Sequence, residues 1–358
     1  MTTQIIEAQQ NIITPEMAKV AELEGINSNV LRQRVAQGKV VIFKNKLKNV
    51  LPTALGCGLS PKICACVNNN FEGFSVIEET DKIKISKIAG AKIALDVLAS
   101  SEYGEMREKI TSEFDMLYGV NQLAECVCET SEALELTTSK ITESIERFCE
   151  QGADFITLYP TITQEIIKLY KTEVKKPNFI SKPVSIFAEY IEKESAKNPY
   201  YEAFDEILDI ARTYDVVLSL ASVFSFNSLS EFPTRTSYAE LLILSELVQR
   251  AREAGVQIMV EAGGFMQLAE IEKHIELIKK LTFNSPLALS GPKVAEDMPE
   301  IEFVNSAIGA AVATNAGCDM LFAHAFEDNS KKLNARQLRE NVLSLKLACE
   351  TCIPRADL

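Results

Sequence analysis

Short, continuously apolar runs recur along the chain, and most are followed by a longer stretch in which apolar residues return every three or four positions. The runs are Lys62–Val67, Ile93–Leu98, Met116–Val120, Phe155–Leu158, Asn178–Ser181, Val216–Leu220, Gln257–Glu261, Leu287–Leu289 and Met320–Phe322. A strand that is apolar on both faces suits a parallel sheet buried beneath helices, and stretches such as Thr138–Gln151 and Ser237–Ala254 have helical period and length. This alternation predicts an α/β fold, a (β/α)8 TIM-type barrel whose ligand mouth lies at the C-terminal ends of the strands. Nine candidates compete for eight strand positions, so one of the last two is expected to be irregular. Ahead of the first strand, Pro15–Leu23 and Asn29–Ala36 read as two helices around Gly25, with Val40–Phe43 as an added strand. The expected division is a small N-terminal helical segment, residues 1–60, and a barrel, residues 61–358. No internal repeat or low-complexity linker interrupts this order.

Composition narrows the class. A chain of 358 residues, 47% of them hydrophobic, holds a barrel-sized core, since a (β/α)8 domain takes about 250 residues. No apolar run is long enough to span a bilayer and no basic-apolar-small leader is visible, so a cytoplasmic protein is expected. The net charge of −13 repels nucleic acid and anionic lipid, which excludes both as nonspecific partners. Nine cysteines without a secretory signal read as reduced thiols.

Several segments carry a resemblance. Val256 to Gln267 reads Val-Gln-Ile-Met-Val-Glu-Ala-Gly-Gly-Phe-Met-Gln, a strand that ends on a glutamate and breaks into a glycine turn. Ile13-Thr14-Pro15-Glu16-Met17, Val40 to Asn45, Asn198-Pro199-Tyr200-Tyr201-Glu202, Tyr214 to Leu220, Gly291-Pro292 and Ser306 to Ala311 follow one another at fixed distances. Together, across roughly residues 12 to 348, they resemble the phosphomethylpyrimidine synthase (ThiC) family. The resemblance implies a homodimeric barrel that converts aminoimidazole ribotide to the thiamin pyrimidine, using S-adenosylmethionine, a [4Fe–4S] cluster and zinc.

The same resemblance implies a changed mouth. Cys64 and Cys66 stand where the family has asparagines, the second of them ligand-binding, and Leu95 replaces a ligand-contacting methionine beside the kept Asp96. Asn121 matches a ligand tyrosine, Tyr159 a histidine and Ala288 a tyrosine. The family's Ser-Arg-Gly-Gly becomes Ser181-Lys182-Pro183-Val184, and a proline offers no backbone N–H to an anion. Ser222 and Ser225 take the places of an aspartate and an arginine, and serine supplies neither the charge nor the fork of a guanidinium. Phe265 and Asn329 match the two zinc histidines. Of the polar contacts carried across, Glu261 and Ser181 are unchanged, so the ligand-binding candidates are Glu261, Ser181, Cys66, Tyr159 and Asn121. The Cys-x-x-Cys of Cys349 and Cys352 has no third cysteine at the family's spacing, and an open-iron cluster needs three thiolates. No cofactor is therefore expected: the family's cluster, S-adenosylmethionine and zinc sites read as absent.

Residue chemistry leaves other readings open. Cys64 and Cys66 lie two apart on a strand and face one side, and Cys126 and Cys128 follow the third strand near the same mouth. Four thiols there would suit zinc or an iron–sulfur cluster, whereas buried cysteines otherwise serve as small apolar fillers. Glu261 at a strand tip suits a general base or an inherited hydrogen-bond acceptor. Lys182, read as the tip of strand five, is a Schiff-base candidate or a solvated charge. His324 is within reach of the mouth from behind the last strand, and His274 reads as a surface residue of an amphipathic helix. Phe224, Phe226 and Phe265 suit either an apolar ligand pocket or a plug. The expected function is a noncatalytic ThiC-like homologue that acts as a protein partner or binds a small ligand. The alternatives are a lyase-type enzyme of thiamin or related cofactor metabolism built on Glu261 with Lys182, His324 or a cysteine-bound metal, and a metal or iron–sulfur protein built on the four cysteines.

Overall fold

The computed structural model describes residues 2–68, 75–99, 103–128, 136–174, 179–194, 196–223, 234–295, 302–323 and 335–352, without the side chains of Cys128, Gly264, Phe265 and Glu302. Three helices open the chain, Gln4–Gln9, Pro15–Glu24 and Ser28–Ala36. Thr3, Thr14 and Asn27 cap their N-termini by accepting from backbone N–H groups of the first turn. Gly25 ends the second in the left-handed region, where a residue without Cβ is unstrained. An antiparallel hairpin follows, β1 (Val40–Phe43) and β2 (Thr53–Gly56). The first helix and β2 carried no sequence expectation: the helix has only six residues, and Thr53–Gly56 is apolar only at Ala54 and Leu55.

The hairpin is apolar on both faces because it separates two cores. Val40, Ile42 and Ala54 pack with Met17, Val20, Leu31 and Val35 of the N-terminal helices. Val41, Phe43 and Leu55 point the other way and close one end of the barrel interior, where the Phe43 and Phe155 rings lie 5.5 Å apart. A buried ion pair reinforces the junction: Lys48 Nζ lies 2.5 Å from Asp154, which also accepts from the Asn45 and Tyr118 amides.

Eight parallel strands close the barrel: β3 (Lys62–Val67), β4 (Ile93–Asp96), β5 (Leu117–Asn121), β6 (Phe155–Leu158), β7 (Val217–Ala221), β8 (Ile258–Phe265), β9 (Leu287–Lys293) and β10 (Met320–Ala323), with β10 pairing back to β3. Side chains at every second position fill the interior, among them Cys64, Cys66, Ile93, Leu117, Val217, Met259, Met320 and Phe322. Gly119 lies beside this layer for a steric reason, since a Cβ there would meet the Phe155 ring at 2.2 Å. The helices read as Thr138–Gln151 and Ser237–Ala254 are Thr138–Glu150 and Arg235–Glu253.

The surplus strand was misplaced. Both of the last two candidates are barrel strands, and the run that drops out is Asn178–Ser181. Asn178 lies outside the described residues; Phe179 and Ile180 make one bridge, in which the Ile180 amide donates to the Val223 carbonyl, before the helix Lys182–Lys193 begins with Pro183 in its first turn. Two apolar residues followed by a proline-primed helix start are too few to enter the sheet. Phe179 instead covers Tyr170, at 5.9 Å between ring centroids.

Candidate functional site

The strand registers bring polar side chains together near the C-terminal ends of the inward-facing positions. Asn121 pairs with Thr157, Thr157 with Ser219, and Ala221 with Glu261, so hydroxyls from β6 and β7 converge on the carboxylate from β8. Glu261 Oε1 accepts from Thr157 Oγ1 at 2.9 Å and also from Ser219 Oγ. Burial pushes its carboxyl up to about 7, against the two hydroxyls that pull it down. Among the described residues no cation offsets this burial, so near neutral pH the group exchanges between acid and carboxylate.

Three other candidates share this interior. Burial, then the neighbouring Cys66 and Glu261, raises the Cys64 thiol, and burial followed by Glu261 raises Cys66; both stay protonated at neutral pH. Tyr159 is raised by burial and by Glu261, with Asn121 acting in the opposite direction as a hydrogen-bond partner. Asn121 is 5% exposed, and its Oδ1 is buried without a hydrogen-bond partner. Glu261, Cys66, Tyr159 and Asn121 thus form one electrostatically connected group inside the mouth.

A further carboxyl, 3% exposed, stands just outside the barrel wall. Glu240, on the helix Arg235–Glu253, accepts from Thr161 Oγ1 at 2.7 Å, Ser222 Oγ at 2.6 Å and the Val223 amide at 2.8 Å. Burial raises it to about 7 despite these donors. It lines a cavity of about 20 Å³ with Ser222, Ser237, Gly263 and His274. His274 is partly buried rather than on the surface, and desolvation depresses its imidazole to about 4, which keeps it neutral. The helix Ile271–Leu281 turns it toward β8, a placement that the amphipathic pattern alone does not distinguish from the solvent side.

The remaining candidates lie apart from this group. Ser181 is the N-cap residue of the helix Lys182–Lys193, with its Oγ buried and without a hydrogen-bond partner. Lys182 is exposed in the first turn of that helix, not at a strand tip, so the desolvation that a Schiff-base amine needs is missing. His324, Phe224 and Phe226 fall outside the described residues, as does the side chain of Phe265. Cys126 sits on the helix Gln122–Cys128, where Gln122 Nε2 donates to its sulfur at 3.0 Å and burial lifts its thiol to about 11. Its electrostatic neighbours are Glu125, Ser144, Gln122 and Arg147, a different set from those of Cys64 and Cys66. Among the described residues no three Cys, His, Asp or Glu side chains are placed to hold a metal, and the Cys128 side chain lies outside them.

The other thiols belong to the opposite end of the barrel. Cys57, Cys318 and Cys352 line a cavity of about 30 Å³ beside the β2 turn, and Cys352 bonds the Thr314 carbonyl at 3.2 Å. Asp96 is structural: it accepts from Arg107 at 2.8 Å, Asn68 Nδ2 at 2.6 Å and the Ala99 amide at 2.9 Å. Phe265 and Asn329, at the positions that the resemblance gives to zinc ligands, carry no imidazole. Sequence reasoning missed Thr157, Ser219 and Glu240. The signal for the first two was present, as hydroxyls at inward positions of otherwise apolar strands.

Comparison with known proteins agrees with this architecture. Residues 3–352 match the model of the radical SAM ThiC family. The chain is 33% identical over 351 residues to phosphomethylpyrimidine synthase of Desulfitobacterium hafniense, covering 97% of this chain and 81% of that one. The enzyme of the same name from Pyrococcus abyssi is also 33% identical, covering 97% and 82%. That of Dehalococcoides mccartyi strain CBDB1 is 31% identical, covering 97% and 81%.

Proposed function

The chain belongs to the radical SAM ThiC family, and from that membership we propose that its barrel mouth binds a small ligand without carrying out the radical pyrimidine synthase reaction. The observation that carries this reading is the polar set inside the barrel. Glu261 keeps the place the resemblance assigns it and is held by Thr157 and Ser219, while Cys66, Asn121 and Tyr159 around it differ from the family pattern. Phe265, Asn329 and Ser225, at the positions of two zinc histidines and an arginine, supply none of the metal donors or the fixed charge. Asn121 Oδ1 is an open acceptor, and both hydrogen bonds to Glu261 fall on Oε1, leaving Oε2 for another donor. The ligand that suits this group is small and brings N–H or O–H donors.

A second reading, an enzyme with a rebuilt mouth, rests on the Glu261 carboxyl near 7, a value suited to proton transfer at neutral pH. The proposed compartment is the cytoplasm. Free thiols at all of Cys57, Cys64, Cys66, Cys126, Cys149, Cys318, Cys349 and Cys352 support this, and no helix among the described residues is long and apolar enough to cross a membrane. The proposed partner is a second copy of the chain. The adjoining helices Glu302–Ala316 and Ala335–Glu350 present exposed Val304, Ile308, Leu343 and Leu347, a surface that association would remove from water.

Calorimetric titration with aminoimidazole ribotide and with S-adenosylmethionine tests the ligand reading. Each charge-assisted hydrogen bond lost from the mouth is worth about 1.5–3 kcal/mol, so losing two weakens ribotide binding by about a hundredfold or more. No detectable heat at submillimolar concentration is expected for either compound. A micromolar dissociation constant for either would overturn the reading.

A further inference from the structure

Glu240 is 3% exposed, and its hydrogen-bond partners are two hydroxyls and a backbone amide, not a cation. A carboxyl in such a place is costly, and packing alone would be satisfied by an apolar side chain of similar volume. Its three bonds reach two successive crossings of the mouth. Thr161 lies just beyond β6, whereas Ser222 and Val223 lie just beyond β7. Through Val223 the network reaches a third, because the Val223 carbonyl accepts from the Ile180 amide at 3.0 Å, next to the unpartnered Ser181 Oγ. The Ser222 amide meanwhile donates to the Glu261 carbonyl at 2.9 Å, which joins the same segment to the strand that carries the central carboxylate.

We propose that Glu240 is a positioning residue of the mouth: from the helix outside the barrel wall it fixes Ser222 and Val223 after β7 and, through Val223, the Phe179–Ser181 turn. Its carboxylate is suited to this because it accepts at two oxygens and needs no donor of its own. Oε1 holds Thr161 and the Val223 amide together, and Oε2 orients the Ser222 hydroxyl. Ser222 and Ser181 belong to the ligand-binding segments of the family pattern, so Glu240 acts on ligand geometry without touching the ligand. This consequence rests on the reading of the mouth as a binding site; the placement of the backbone does not.

Hydrogen exchange read by mass spectrometry on the full chain tests the placement independently of any ligand. In Glu240→Ala the Val223 and Ile180 amides are expected to exchange about tenfold faster or more, with the amides of β3 to β5 and the melting temperature close to wild type. Glu240→Gln is expected to restore both amides, because its Oε1 still accepts from Thr161 and Val223 and the Ser222 hydroxyl turns to accept from Nε2. Unchanged exchange at these two amides in the alanine variant overturns the proposal. So does a uniform rise across the barrel, or a glutamine variant that exchanges as fast as alanine. If the alanine variant does not fold, Ser222→Ala and Thr161→Val each remove one bond and must still raise exchange locally; no local rise in either overturns the proposal as well.

Discussion

Replacing Glu261 with glutamine removes an ionisable group but leaves Oε1 to accept from both Thr157 and Ser219. The folded carboxyl titrates near 7 because burial disfavours its charge, whereas the unfolded one titrates near 4.5. Between these values the folded state holds the extra proton, so this group's contribution to stability is fully present below pH 4.5 and is lost as pH rises through 7. One pKa unit is worth about 1.4 kcal/mol, and with a discount for partial solvent access the loss amounts to about 2–3 kcal/mol. Glutamine does not titrate and escapes it. Urea denaturation followed by circular dichroism, at intervals from pH 5 to 8, therefore should show Glu261→Gln gaining on wild type by about 2–3 kcal/mol across the range. Glu240 titrates in the same window but is common to both proteins, so it cancels in the difference. Parallel pH profiles for the two proteins, or a glutamine variant that falls behind wild type at pH 8, would refute the placement of Glu261 as a desolvated carboxyl.

Two further outcomes follow from other parts of the fold. Gly309→Ala is expected to destabilise by about 1–3 kcal/mol although alanine is the better helix former, because its Cβ would lie 2.0 Å from the Pro292 carbonyl oxygen of β9; a melting temperature equal to or above wild type contradicts this packing. Light scattering at micromolar concentration is expected to report a dimer of the 39.6 kDa chain, and a monomer alone would count against a second copy on the Val304–Leu347 surface.

The barrel was legible because its strands are buried on both faces and so appear as unbroken apolar runs. The one error among them, Asn178–Ser181, came from two apolar residues, of which Phe179 covers Tyr170 of the helix Gln164–Glu173 and Ile180 makes a single bond to the Val223 carbonyl. The hairpin was half visible: Val40–Phe43 is apolar throughout, whereas Thr53–Gly56, of the same length, is apolar only at Ala54 and Leu55. Within the site, Glu261 stood out as a charge at the end of an apolar strand. Thr157 and Ser219 did not, because an isolated hydroxyl in a strand reads as strand propensity or chance until the register shows that it faces the same carboxylate. Glu240 and His274 were hidden for a different reason. Each sits in an amphipathic helix whose charged residues mostly face water, and which polar residue turns inward depends on tertiary packing that periodicity does not encode.

Growth complementation tests most directly whether this ThiC-like frame has lost its family's reaction. The chain would be expressed in a thiamin-requiring strain that lacks phosphomethylpyrimidine synthase, with the protein confirmed as folded and present. No growth without added pyrimidine is the expected result, given Phe265 and Asn329 at the zinc positions and Ser225 at the arginine position. Growth at the rate given by an active synthase would contradict it and would mean that Glu261 and the rebuilt polar group around it support the family reaction by another arrangement of residues.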